Sequence, residues 1–370
     1  MLKTLKNIDL RDKRVLLRVD FNVPLDKKGN ITDDFKIRCS LPTIKYIKQK
    51  AKQVVLMSHL DPWKNNPASK KDSRLKMDKT AKKLSRLIGE KVVKVDDCID
   101  VKLPLDKIVL LENLRFHKGE KENDRQFAKK LSYHGDVYVN DAFGTCHRSH
   151  ASVNAIVRYF KNRCAGLLVE KEVKMLNPIL KPPFYVVFGG SKIKSKIKVI
   201  GKFGKKADKI FIGGKMALAF IDVHYIDLGE RRIARKLMKK FSNKLVLPVD
   251  YVLEDKKIVD VNSIPKNKKI FDVGSRTILE WKNILKNAKT IVWNGPLGCF
   301  EKKPFDRSTN ELIKYLARSK AKTIIGGGET ADSVRKLNLQ NKMTHVSTGG
   351  GASLEFLEGK KLIGLKVLGF

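Results

Sequence analysis

The sequence predicts an α/β protein made of two doubly wound parallel-sheet domains joined by a helix. Three observations predict it. The chain has 370 residues, and about 150 residues per domain gives about two domains. Short β-rich apolar runs alternate with helical patterns from end to end, the signature of parallel strands flanked by helices. Glycine follows nearly every predicted strand of the second half, and an open parallel sheet binds ligands just beyond those strand ends.

Taken in order, Arg14-Val15-Leu16-Leu17-Arg18-Val19 reads as a strand. A helical pattern follows over 40–51, and further strands are expected at 54–57, 108–111 and 137–139. From His59 to Met77 the chain is polar, lysine-rich and carries two prolines, which reads as a mobile surface loop. A longer helical pattern begins at Gly166 and ends before Lys181-Pro182-Pro183, since proline cannot continue a helix. The strand Phe184-Tyr185-Val186-Val187-Phe188 then restarts the chain. The domain junction falls on this helix. The expected division is 1–165, a connecting helix over 166–181, a second domain over 182–352, and a segment 353–370 returning to the first domain. No short-period repeat or low-complexity tract interrupts the pattern.

Composition removes several classes of protein. Hydrophobic residues make up 42% of the chain, enough for two interiors, which excludes disorder. No apolar run reaches the roughly 18 residues of a membrane span. The start, Met1-Leu2-Lys3-Thr4, lacks the apolar stretch of a signal peptide. The five cysteines (Cys39, Cys98, Cys146, Cys164, Cys299) are widely spaced and form no C-x-x-C pair. That pattern suits a reducing cytoplasm, with neither zinc nor disulfides expected. The formal charge of +39 would concentrate anions around the protein. Most of the basic residues are lysine, spread along the whole chain, and no stretch gathers arginine with aromatics. We read a solvated, lysine-enriched surface rather than a nucleic-acid element, with anion steering as a by-product. A nucleic-acid binder acting through charge alone remains a separate reading, and it predicts steep salt dependence.

The chemistry sits at the strand ends. In the second half these are Phe188-Gly189-Gly190-Ser191-Lys192, Ile212-Gly213-Gly214-Lys215, Phe271-Asp272-Val273-Gly274, Trp293-Asn294-Gly295-Pro296, Ile325-Gly326-Gly327-Gly328-Glu329-Thr330 and Ser347-Thr348-Gly349-Gly350-Gly351. Glycine lets backbone N–H groups approach phosphate, and a following helix amino terminus adds a favourable dipole. One Gly-Gly is more often a tight turn, but six on one rim imply a nucleotide cleft, although no G-x-x-x-x-G-K-[ST] loop is present. Lys192 and Lys196, four residues apart, can share a helix face and meet a transferring phosphoryl group. Glu329 is placed to hold Mg²⁺ on nucleotide phosphates, and Glu301 to accept hydrogen bonds from a ribose. In the first half the strand ends carry Arg18-Val19-Asp20-Phe21-Asn22, Ser58-His59, Glu112-Asn113-Leu114-Arg115-Phe116, and a run from Asn140 through His147-Arg148-Ser149-His150. Arginine and histidine at several strand ends suit a small, multiply charged phosphate or carboxylate.

These segments resemble phosphoglycerate kinase. The pieces R-V-D-F-N-V-P, S-H-L, L-E-N-L-R-F, N-D-A-F-G-T-x-H-R, G-G-S-K, G-G-x-M, L-P-V-D, W-N-G-P-x-G-x-F-E, G-G-G-x-T and S-T-G-G-G-A run in order from residue 18 to residue 352. The resemblance implies two Rossmann-like domains that close by a hinge. It implies reversible transfer of the acyl phosphate of 1,3-bisphosphoglycerate to MgADP, giving 3-phosphoglycerate and MgATP, by a cytoplasmic monomer of glycolysis. Asp20, Asn22, His59, Arg115 and Arg148 would bind the glycerate ligand, with Arg18, His147 and His150 in its basic patch. Gly190, Lys192, Lys196, Gly214, Asn294, Glu301, Gly327, Gly328, Glu329 and Thr330 would bind nucleotide or its Mg²⁺. Gly349, Gly350 and Gly351 would begin the helix facing the transferred group, with Lys192, Gly350 and Gly351 counted as catalytic. Such a reaction needs positioning and charge neutralisation more than a protein nucleophile.

Three departures from the family pattern stand out. Lys36, in Phe35-Lys36-Ile37-Arg38, occupies the place of the catalytic arginine and lacks its bidentate fork. Arg38 is expected to point elsewhere on strand-like alternation. The family's S-H-L-G-R-P appears as Ser58-His59-Leu60-Asp61-Pro62-Trp63, which loses a substrate arginine. Glu329 replaces the usual aspartate. The expected result is an active but attenuated enzyme; the alternative is an impaired relative kept for binding.

Overall fold

The computed structural model describes the chain apart from residues 1–2, 62–71, 178–180, 192, 195 and 222–225. Its contacts form two units, Met1–Lys174 with Lys361–Phe370, and Met175–Lys360.

The first unit carries, in chain order, β1 (Arg14–Arg18), α1 (Phe35–Lys50), β2 (Gln53–Met57), α2 (Asp78–Ile88), β3 (Val93–Lys94), β4 (Ile108–Leu110), α3 (Lys118–Lys121), α4 (Arg125–Ser132), β5 (Val137–Asn140), β6 (Arg163–Ala165) and most of α5 (Leu167–Leu176). Its six strands are parallel, in the order β3-β4-β2-β1-β5-β6. The order departs from β1 in both directions, so the carboxyl ends of β1 and β5 flank a switch point, where open sheets bind ligands. β2 is buried throughout and β1 beyond its first residue, as a sheet covered on both faces requires. Val15, Leu17, Val54, Leu56, Ile108 and Leu110 join Ile37, Ile44 and Ile47 of α1 and Leu84 of α2 in one core. Burial of each such side chain contributes about 1.5–3 kcal/mol.

Two sequence expectations are corrected here. α1 starts at Phe35 rather than Ser40, because the Asp33 carboxylate accepts from the Phe35 amide at 2.8 Å and orients the first turn. Lys36 and Arg38 are therefore helical, and Arg38 reaches back to Asp34 at 2.8 Å. α5 ends at Leu176, before Pro178, so the earlier proline and not Pro182 sets the stop. Of the segment expected as a loop from His59 to Met77, residues 62–71 lie outside the described residues; at its end Leu75 and Met77 are buried, and the Met77 amide donates to Glu112 Oε1 at 2.9 Å.

The second unit carries β7 (Phe184–Phe188), α6 (Ile197–Gly204), β8 (Lys209–Ile212), α7 (Leu228–Phe241), β9 (Leu245–Val246), β10 (Asp250–Leu253), β11 (Ile258–Asp260), β12 (Ile270–Val273), α8 (Ser275–Leu285), β13 (Thr290–Asn294), α9 (Arg307–Leu316), β14 (Lys322–Gly326), α10 (Gly328–Lys336), β15 (His345–Val346) and α11 (Gly351–Leu357). The last helix, α12 (Ile363–Lys366), belongs to the first unit. Six strands form a parallel sheet ordered β15-β14-β13-β7-β8-β9. A separate antiparallel sheet, β11-β10-β12, was not expected. It forms because a tight turn at Asp255-Lys256 folds β11 back on β10, with Lys256 at φ 69. Consequently Phe271-Asp272-Val273-Gly274 does not belong to the main rim, which carries five glycine-rich strand ends, those of β7, β8, β13, β14 and β15.

Candidate active site

In the first unit the predicted basic residues gather at the carboxyl ends of β1, β2, β4 and β5. Arg18 ends β1 fully buried. Its Nε donates to Ser152 Oγ at 2.8 Å and its Nη2 lies 3.1 Å from His59 Nδ1. Glu120, equally buried, stands 4.0 Å from the same guanidinium and accepts from the Ser152 hydroxyl and amide at 2.7 and 2.9 Å. This network holds His59 from below. Asp20, two residues past β1, takes the Lys36 ammonium at 2.8 Å. Asn22 brackets the next strand end, accepting from the Asp61 amide at 2.8 Å and donating to its carbonyl at 3.4 Å. Asn113 ties a third loop in, accepting from the amides of Leu60 and Arg115, both at 3.0 Å.

The electrostatics of this cluster suit an absent anion. Burial, then the charges of Arg18, Arg115, Lys36 and Arg148, holds His59 well below its usual range. Burial, then the charges of Arg115, Arg148 and Arg18 and the neighbouring His147, pushes His150 down to about 3. Both imidazoles are neutral at physiological pH, crowded by four cations of which Lys36 is paired with Asp20 and Arg18 stands near Glu120. Burial also lowers Arg115, and its Nε has no hydrogen-bond partner among the described residues; neither has His150 Nδ1. Asp20 is different: burial opposes its charge, but Lys36 outweighs that and brings the carboxyl below its ordinary value. Arg148 Nε lies 3.4 Å from His147 Nε2. Orphaned buried donors beside excess positive charge are what a phosphate or carboxylate would satisfy.

In the second unit the rim is made of backbone. The ends of β7 and β13 cross each other, the Gly189 amide donating to Asn294 O at 3.0 Å and the Gly190 amide to Pro296 O at 2.8 Å. The end of β8 closes on both, with the Gly214 amide on Leu297 O at 3.0 Å. Two positions require glycine. Gly295 has φ +98, and a Cβ there would lie 2.3 Å from Gly189 O; Gly214 has φ +65, and its Cβ would lie 2.5 Å from the Gly190 nitrogen. Thr330, buried at the start of α10, fixes the loop after β13 by accepting from the Gly295 amide at 2.8 Å. Asn294 Nδ2 is buried with no partner among the described residues, pointing to the Gly326-Gly327 turn, 3.2 Å from where side chains there would begin.

Beside this cradle lies a pocket of about 540 Å³. Gly190, Gly214, Glu301 and Glu329 line it together with the apolar walls of Tyr251, Phe271, Leu297 and Phe300. Phe271 packs on Phe305 at 4.9 Å. Phe271 was expected at a rim strand end, whereas Tyr251 and Leu297 escaped the sequence reading because they sit on the unexpected antiparallel sheet and the loop after β13. The only signal was a scatter of aromatics around W-N-G-P. Lys196 stands at the amino end of α6; burial lowers its ammonium, partly offset by Glu329. Glu329 is exposed in the first turn of α10, Gly327 and Gly328 begin that helix, and Gly350 and Gly351 begin α11. Lys192 and Pro62 lie outside the described residues.

A phosphoglycerate kinase family profile matches residues 5–360. The chain belongs to the phosphoglycerate kinase family. It is 42% identical to the phosphoglycerate kinase of Pelotomaculum thermopropionicum, covering 99% of this chain and 98% of that protein. It is 43% identical to that of Borrelia turicatae, covering 99% of both. The solved phosphoglycerate kinase of Coxiella burnetii superposes with a TM-score of 0.86 at 35% identity, over 100% of this chain and 99% of that one. The Pyrococcus horikoshii enzyme gives 0.86 at 30%, over 100% and 98%. As a phosphoglycerate kinase relative the chain is a kinase, a phosphotransferase of glycolysis. Among the described residues no helix is long and apolar enough to cross a membrane.

Proposed function

We propose that this chain catalyses reversible phosphoryl transfer between 1,3-bisphosphoglycerate and ADP, giving 3-phosphoglycerate and ATP, with Mg²⁺ carried on the nucleotide. The observation that carries the reading is the glycine cradle of the second unit, with the Asn294 amide nitrogen, unpartnered among the described residues, beside an apolar-walled pocket. The pocket walls accept a planar base, and Glu301 suits a ribose hydroxyl. Lys196, Gly190, Gly214, Gly327, Gly328 and Thr330 belong to phosphate binding. The residues present fit a nucleotide, since an orphaned donor and a backbone cradle are otherwise unexplained. Glu329, a hard oxygen donor exposed in the first turn of α10, would hold Mg²⁺, in keeping with that ion's preference for one or two carboxylates plus phosphates. When bound, the ion offsets charge on the phosphate oxygens.

In the first unit, Arg115, Arg148, Asn22, Asp20 and neutral His59 would bind the glycerate. Arg18 is a positioning residue, since its guanidinium is spent on Ser152, His59 and the Val19 carbonyl. Lys36 supplies the cation nearest Asp20 and would neutralise the moving charge. Lys192, Gly350 and Gly351 would meet the transferring group. A coupled assay of ATP and 3-phosphoglycerate consumption tests the reading. Turnover is expected in the wild type, with Asn294→Ala raising the nucleotide KM on the order of tenfold, the worth of one buried hydrogen bond, and leaving the 3-phosphoglycerate KM unchanged. A wild-type rate no higher than that of Lys192→Ala overturns it.

A further inference from the structure

A second set of donors lies at the edge of the first unit's sheet, beyond β3 and β4. Asp97 and Cys98 sit in the loop after β3, and His117 directly precedes α3. One carboxylate oxygen, the thiol sulfur and one ring nitrogen from these residues all lie within 4.8 Å of one another. His117 Nε2 is 2.6 Å from Asp97 Oδ1. The backbone around them is fixed from several sides. The Cys98 amide donates to Asp97 Oδ1 at 2.7 Å, and His134 Nε2 lies 3.1 Å from the Cys98 carbonyl. The Glu112 amide reaches the Asp97 carbonyl at 3.4 Å, and the Phe127 ring packs on His117 at 5.3 Å. Donors that converge from two loops and are held by their own main chains need little reorganisation to take a ligand.

Local charge also departs from the rest of the molecule. In a chain of formal charge +39, residues 96–106 carry Asp96, Asp97, Asp100 and Asp106 against Lys102 alone. Lys94 next to them is already shared among Asp78, Asp96 and Glu112. Asp100 and Asp106 pair with Lys130 and Lys91, so the segment offsets the overall positive field locally rather than reversing it.

We propose that Asp97, Cys98 and His117 form a binding site for a zinc-class divalent cation. The donor set decides the class. A thiolate with an imidazole and a carboxylate suits Zn²⁺ or Co²⁺, whereas Mg²⁺ and Ca²⁺ take oxygen only. Bond lengths of about 2.0–2.3 Å in a tetrahedron set ligand atoms about 3.3–3.6 Å apart. Side-chain rotations therefore suffice: the histidine–aspartate contact opens and the sulfur moves inward. Binding breaks the Sγ–H bond and releases that proton to solvent as the thiolate takes the metal. The Asp97 and His117 side chains are 26% and 22% exposed, which gives an entry path and leaves the fourth position to water. Spacing rules did not find this site because they compare cysteines within one segment, and here the histidine comes from a different loop.

The test uses the full chain, stripped with EDTA and titrated with Co²⁺. One equivalent is expected to develop thiolate-to-cobalt charge transfer with tetrahedral d–d bands, both displaced by Zn²⁺ and untouched by excess Mg²⁺. Cys98→Ser should abolish the charge-transfer band. His117→Gln and Asp97→Asn, at partly exposed side chains, should each weaken Co²⁺ on the order of tenfold or more, while metal-free melting stays as in the wild type. Absence of a thiolate band in the wild type overturns the proposal. So does retention of full affinity in both His117→Gln and Asp97→Asn, which decides the matter even where Cys98→Ser does not fold.

Discussion

Lys36 stands in the first turn of α1 with its ammonium 2.8 Å from Asp20 and its side chain 30% exposed. Lysine there keeps the charge that offsets a buried carboxylate, but it presents a point charge where a guanidinium presents a planar fork. Lys36→Arg is therefore expected to raise kcat severalfold. Lys36→Ala should lower it on the order of 100-fold, the usual effect of removing one group aimed at developing charge. Steady-state turnover in both directions checks this. An unchanged or lower rate in Lys36→Arg would show that the surroundings have re-adapted around lysine. Arg18 and Glu120 belong to the same scale with the opposite lesson. From sequence, Arg18 reads as one more substrate cation, because nothing in R-V-D-F-N signals that Ser152 and Glu120, more than a hundred residues on, will enclose it. Burial of a polar side chain is a property of the fold, and the supporting layer beneath a site is for that reason the part least visible in a sequence.

Among the elements, the strands were legible and the exceptions are instructive. Continuous apolar runs marked β1, β2, β7 and β13, since strands buried on both faces leave no polar alternation to mislead. The start of α1 was missed because its signal is a pair of aspartates and not an apolar period. The antiparallel sheet was missed because β10 to β12 are only three or four residues long, each carrying an aspartate, and too short to show a strand period. α5 adds a titrating cap. The carboxylate of Asp141 accepts from the amides of Leu168 and Val169 at 2.8 and 3.4 Å, and burial, only partly offset by Thr43 and these amides, raises its pKa from 3.8 to about 7. A carboxyl raised in the folded state keeps its proton there after the unfolded chain has lost it. Its stabilisation is complete below about 3.8 and is lost as pH rises through about 7. Asp141→Asn does not titrate. The melting temperature of this variant minus that of the wild type should therefore increase between about pH 5 and about pH 8; calorimetry giving a constant difference would refute the assignment.

For the molecule as a whole, a charge of +39 acts on every anion in solution. Both proposed substrates are polyanions, so their KM values should rise severalfold as ionic strength climbs from about 0.01 M to about 0.3 M, with kcat little changed, as the Debye length falls below about 10 Å. Steady-state kinetics across that range checks it, and a flat KM would confine the charge to solubility. A lysine-laden surface also bears on how such a gene can vary. Drift toward adenine enriches lysine, whose codons are AAA and AAG. Glycine codons begin GG, and any change at either base replaces the residue, by alanine at the mildest. At Gly189, Gly214 and Gly295 even that added carbon would fall 2.1, 2.5 and 2.3 Å from backbone atoms of a neighbouring loop. The crossing of the strand-end loops is thus a place where only third-base changes are silent, a point at which drift toward adenine meets a steric wall.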